Sequence, residues 1–185
     1  MLLKTLVLSG HFVEIVRGDI TRQHTEAIVN AANGFLRHGG GVALAIARAA
    51  GPVLIDECNL YIRKHGQIAT GEAVLTSGGN LNAEYVIHAV GPVSGSGDED
   101  EKLRSAILHS LDICESHSIK SCAFPAISSG IFGFPKERCA EIFLETLQDY
   151  FLRHEDSVIQ LIRLCNIDEP TSAVFLSAAE TFQVK

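Results

Sequence analysis

Two glycine-rich stretches hold the residues best suited to chemistry in this chain. The first reads Asn30-Ala31-Ala32-Asn33-Gly34 and then His38-Gly39-Gly40-Gly41-Val42, a strand end passing through a loop into a helix. Three glycines in a row are costly to order, so something requires their bare backbone. A ligand lying against the main chain would do so, because a helix starting directly after the glycines aims its free N–H groups at that spot. A tight structural turn is the alternative. The second stretch, Pro125-Ala126-Ile127-Ser128-Ser129-Gly130-Ile131-Phe132-Gly133-Phe134-Pro135, has the same strand-loop-helix character. Its small residues let successive amides turn inward to a phosphate, and Phe132 between two glycines can present a ring to a sugar or base. Taken alone, Phe132 reads more simply as a core aromatic; the paired glycines shift it toward ligand.

Gly18-Asp19-Ile20-Thr21 closes another strand, so Asp19 can face the same crevice and accept a hydrogen bond from an amino group on a base. As an isolated Asp-x-Thr it is equally a helix or turn cap. Asn166-Ile167-Asp168 follows the last strand and either closes over the base or makes a surface turn. His88, inside Val86-Ile87-His88-Ala89-Val90, reads as a hydrogen-bonded core histidine. The spacings for a dinucleotide-binding GxGxxG turn, a P-loop, an HExxH zinc site and a GxSxG nucleophile elbow are all missing. No metal or cofactor is expected.

These segments need a scaffold that brings strand ends together. Strands are expected at Leu2–Leu8, Phe12–Arg17, Ala27–Asn30, Ala73–Thr76, Tyr85–Ala89, Ser121–Ile127 and Val158–Cys165, most of them apolar throughout. Continuously apolar strands suit a sheet covered on both faces. The helices to cover it are expected at Val42–Gly51, Pro52–His65, Glu101–His117, Pro135–His154 and Thr171–Phe182. The fold class is therefore α/β, and in such a sheet the glycine loops lie outside the carboxyl ends of their strands, where the binding crevice forms.

At 185 residues, with 46% hydrophobic and 20% charged residues, the chain reads as one compact domain. The apolar start at Met1–Leu8 contains Lys4 and is too short to span a membrane. Five cysteines without a CxxC pair favour neither a disulfide frame nor a zinc site, which suits a reducing compartment, cytosol or nucleus. Fifteen basic against twenty-two acidic residues give a net charge of −7, which disfavours nucleic acid and anionic membrane as partners. A phosphate-bearing ligand must then be held by local geometry.

The motifs GDIT (18–21), IVNAAN (28–33), HGGGVA (38–43), VIHAVGP (86–92) and PAISSGIFGFP (125–135) together resemble the macrodomain family over nearly the whole chain and in the right order. The resemblance is to macrodomains of large vertebrate ADP-ribosyltransferases of the poly(ADP-ribose) polymerase type, with NAAN and HGGG also seen in viral and archaeal members. It implies a three-layer α/β/α sandwich around a mixed, mainly parallel sheet, a single domain over residues 1–185 that can belong to a longer protein, and a monomer. It also implies ADP-ribose and ADP-ribosylated proteins as ligands. By motif, Asp19 would bond the adenine amino group with Ile20 beside it. Gly39, Gly40, Gly41 and Val42 would grip the diphosphate from one side, and Ser128, Ser129, Gly130, Ile131 and Phe132 from the other. Asn33 and Phe132 would contact the distal ribose, and Asn166 would stand near the base, where many members carry a stacking aromatic that this chain lacks. One hydrolase group has an aspartate after its glycine loop, but this chain reads Val42-Ala43-Leu44. Asn33, His38, Gly41 and Phe132 instead match members whose hydrolysis of ADP-ribosyl esters needs no protein base, which makes them the expected catalytic set. A non-catalytic reader or scaffold module is the alternative.

Overall fold

The computed structural model describes residues 1–185. Seven strands, β1 (Leu2–Leu8), β2 (His11–Arg17), β3 (Ala27–Ala32), β4 (Ala73–Ser77), β5 (Tyr85–Val90), β6 (Ser121–Phe124) and β7 (Leu161–Asn166), form one sheet in the order β1-β2-β7-β6-β3-β5-β4. The four central pairings are parallel, and the outer pairs β1·β2 and β4·β5 are antiparallel. Five helices complete the chain: α1 (Gly41–Ala50), α2 (Pro52–His65), α3 (Glu99–Ser116), α4 (Lys136–Arg153) and α5 (Glu169–Thr181).

The side-chain alternation of a strand explains the three layers. In β3, Ala27 and Val29 join the larger apolar cluster with Leu103, Ile107, Phe143, Leu147 and Phe175 from α3, α4 and α5. Ile28 and Ala32 point the other way, to Ile46, Ala47, Leu54 and Cys58 of α1 and α2. Both faces of the central strands are therefore dry, as their apolar composition requires. β1 and β2 are joined by a two-residue turn whose residues, Ser9 and Gly10, both take positive φ, the geometry that matches the twist of a hairpin.

The element boundaries differ from the sequence expectation where the loops begin. β3 extends two residues past Asn30, because Ala31 and Ala32 pair with Ala89 and Val90 of β5. Asn30 is consequently a fully buried strand residue. β6 stops at Phe124, before Pro125, which has no N–H to give the ladder. β7 starts at Leu161 and reaches Asn166, which moves Asn166 from the expected loop into the strand. A single 3-10 turn, Ile20–Arg22, follows Asp19.

Candidate functional site

The carboxyl ends of β2, β7, β6, β3 and β5 emerge side by side along one crest, in that spatial order. Between them lies a cleft of about 680 Å³, lined by residues of all five exits: Asp19 and Ile20 after β2, Asn166 to Asp168 at β7, Pro125 to Phe132 after β6, Asn33 and Arg37 after β3, and Gly91 after β5. The glycines that lead into α1 form one wall.

That glycine wall does not owe its three residues to one cause. Gly41 has φ +56°, the left-handed region that favours glycine. Gly40 is extended, at φ −178°, but a β-carbon there would stand 3.3 Å from Ile131 Cδ1 across the cleft. Gly39 has open space around it. α1 begins at Gly41 with no side-chain cap, so the first amides of its opening turn have no protein acceptor and face the cleft from Gly41 and Val42.

The opposite loop turns at Ser128, a non-glycine residue with φ +66°. Ser129 N–H donates to Ala126 O and Phe134 N–H to Ser128 O, which closes the loop on itself. Of the four amides between them, that of Gly133 donates to Gly130 O, while those of Gly130, Ile131 and Phe132 donate to no backbone carbonyl and together make a concave run of donors suited to an anion. Phe132 is half-buried against the cleft and its carbonyl accepts from Ser94 N–H at 2.9 Å. Ile131 is 79% exposed and reaches over the gap to the glycine wall. Gly91 packs beneath this loop so closely that a β-carbon would overlap Ser128 Oγ and Ile127 Cγ2.

Asp19 takes both roles that its sequence allows. Its Oδ1 accepts from Thr21 N–H at 2.9 Å and Thr21 Oγ1–H at 2.7 Å, capping the 3-10 turn, while the residue lines the cleft with its second carboxylate oxygen uncommitted. Asn33 is more occupied than its expected ribose contact suggests. Its Oδ1 accepts from the N–H groups of Phe35 and Arg37, each at 3.1 Å, and its Nδ2 donates to Arg37 O at 2.7 Å. One N–H remains to face the cleft.

Two expectations require correction. Asn166 does not close over the base from a loop; it is 6% exposed at the end of β7, and its Oδ1 accepts from Ala126 N–H at 2.9 Å, tying that strand to the second glycine-rich loop. Ile167, 71% exposed, is the residue that stands at the rim there. His38 is not in the cleft at all. Its ring turns inward to lie 6.1 Å from that of His88, both of its nitrogens are buried without a partner, and burial holds its pKa below the usual value. His88 itself is hydrogen-bonded in the core, to Asn30 Nδ2 at 3.0 Å and Thr76 Oγ1 at 2.9 Å.

Sequence reasoning passed over Arg37, Gly91 and Lys136, which all line the cleft. Lys136 opens α4 and stands 3.7 Å from Asp168, whose carboxyl caps α5 through Thr171. Its only signal in the sequence was a cation two residues after Gly-Phe-Pro's phenylalanine. No cluster of three or more His, Cys, Asp or Glu side chains is arranged to hold a metal.

Comparison with known proteins fits this geometry. Residues 29–143 match the family model described as the Macro domain. An Escherichia fergusonii protein named O-acetyl-ADP-ribose deacetylase is 48% identical over 144 residues, covering 77% of this chain and 81% of that protein. A Thermotoga maritima protein is 50% identical over 174 residues; the match takes in 93% of this chain but spans only 29% of the length of that relative. The Oceanobacillus iheyensis macrodomain, solved with ADP, superposes with a TM-score of 0.91 at 31% identity, covering 97% of this chain and 96% of that one.

Proposed function

Because the chain belongs to the macro domain family, we propose that its crest binds ADP-ribose, free or attached to protein, and that it slowly hydrolyses ADP-ribosyl esters of acidic side chains or of small acyl groups. The observation that carries this reading is the pair of facing amide runs, at the start of α1 and at Gly130–Phe132, with Ile131 closing the gap above them. A diphosphate is the ligand that two opposed sets of N–H donors fit in a protein of net charge −7. The order of strand exits then runs the nucleoside toward Asp19 and Ile20 and the distal ribose toward Asn33, Phe132 and Gly91. The deacetylase name of the E. fergusonii relative and the ADP held by the O. iheyensis macrodomain support it.

The only titratable cleft residue at the ribose end is Arg37, which cannot act as a base. Hydrolysis would therefore proceed with a water held between the ligand's own phosphate and the distal ribose. The water oxygen bonds to the anomeric carbon, the C–O bond to the acyl group breaks, a carboxylate leaves, and the water's proton passes to the phosphate. The loops supply position and no acid or base, which fits a slow reaction. A non-catalytic reading is favoured by one observation, the inward turn of His38, and would leave binding intact. Incubating the protein with a substrate ADP-ribosylated on Asp or Glu separates the two: release of label supports hydrolysis, retention alone supports a reader, and neither sinks both.

The relatives described above are bacterial, so a parent protein of the vertebrate polymerase type rests on sequence resemblance alone. An intracellular, reducing compartment is part of the proposal and is supported by five buried, unpaired cysteines.

A further inference from the structure

Two cations line the cleft, one toward each end. Lys136, at the nucleoside end, has the carboxylate of Asp168 as its partner; Arg37, at the ribose end, has none within ion-pair distance. The backbone of Arg37 is fixed, because the side chain of Asn33 bonds both its N–H and its carbonyl. Its guanidinium lies with Cζ 5.7 Å from the ring centroid of Phe35, which is 50% exposed beside it. Stacking on an aromatic face orients a guanidinium without neutralising it.

We propose that Arg37, seated on Phe35, is a receiving site for the acidic protein segment that carries the ADP-ribose, holding a carboxylate that neighbours the modified residue. The inference rests on the proposed ADP-ribose site and deepens it. The diphosphate is served by loop amides, so the charge of Arg37 is left for whatever continues beyond the distal ribose. Such a segment would be Asp/Glu-rich, and a protein of net charge −7 repels it as a whole. A local, preoriented cation at the point where the chain leaves the cleft offsets that repulsion.

The test uses two peptides bearing ADP-ribose through the same non-hydrolysable link, one flanked by Asp and Glu, the other by Ser and Gly, with free ADP-ribose titrated in parallel. The wild-type protein is expected to prefer the acidic peptide by about two- to fivefold, the size of an exposed ion pair, and to lose the preference as salt rises. Arg37→Gln should equalise the two peptides, its cost falling on the acidic peptide beyond any loss for free ADP-ribose, and Arg37→Lys should keep part of the preference. No preference in the wild type, or an unchanged preference in Arg37→Gln, overturns the assignment. So does a parallel loss for all three ligands in Arg37→Gln, which would mark a structural role. Failure of the wild type to bind free ADP-ribose would instead remove the proposed function beneath it.

Discussion

Ile131 Cδ1 stands 3.3 Å from where a β-carbon on Gly40 would be, so the two glycine-rich loops approach each other across the cleft through one isoleucine and one bare backbone. A long charged side chain at position 40 must therefore enter the space where the diphosphate would lie. Gly40→Glu is expected to fold, since Gly40 is in extended backbone that any residue adopts, and to weaken ADP-ribose binding by at least about a hundredfold through charge repulsion. Isothermal titration checks it, and near wild-type affinity would refute the loop assignment.

The amide of Asn33 holds the Asn33–Arg37 loop by three hydrogen bonds. Asn33→Ala should lower stability by about 1 to 3 kcal/mol, the range for leaving such groups without partners. Ester hydrolysis should fall further than ADP-ribose affinity, because the loop positions the ribose end and the amide runs hold the phosphates. Thermal unfolding together with single-turnover release measures both; unaltered melting would show that the clamp contributes nothing.

Asp19 divides its carboxylate between the Thr21 cap and the cleft, which allows the two roles to be separated. Asp19→Asn keeps an oxygen for the cap but replaces the free acceptor with a donor. Melting temperature is expected to hold while affinity for AMP and ADP-ribose drops and affinity for ribose 5-phosphate does not. An equal loss for all three ligands would exclude an adenine contact.

Burial, with the neighbouring His38 second, pushes His88 from its ordinary value of 6.5 down to about 3. The unfolded chain binds the proton that the folded chain refuses, so stability is fully present above about pH 6.5 and is lost as pH falls toward 3, at about 1.4 kcal/mol per pH unit for this one group. His38, also held low by burial, steepens the same limb. Chemical denaturation between pH 7 and pH 4 should show this acid limb, and His88→Gln should flatten it; an identical slope in the variant would assign the limb to other groups.

The strands and helices were legible because apolar runs and their periods dictate a sheet covered on both faces. The loops were legible because clustered glycines are costly to order unless a turn or a ligand against the main chain requires them. What side chains do inside those loops was not. His38 sits beside three glycines in sequence, yet whether its ring faces the cleft or the core depends on the buried pocket that His88 and Asn30 create from β5 and β3. Asn166 looked like a loop residue because nothing local signals that β7 continues one step further, pairing with Arg17 of β2. Gly91 required contact with a segment 37 residues later, Ser128, before its lack of a side chain made sense. Arg37 carries no motif, and its place over Phe35 with no carboxylate beside it emerged only from the structure.

The grip on phosphate proposed for the cleft would be made of peptide N–H groups, and apart from proline no substitution can delete a peptide N–H. Truncating side chains along Gly130–Phe132 or at the start of α1 leaves the donors where they were. The site is therefore disabled by adding atoms far more readily than by removing them. Drift in sequence at these positions is policed by space, and a damaged allele would be recognised by an ingrown side chain instead of a missing one.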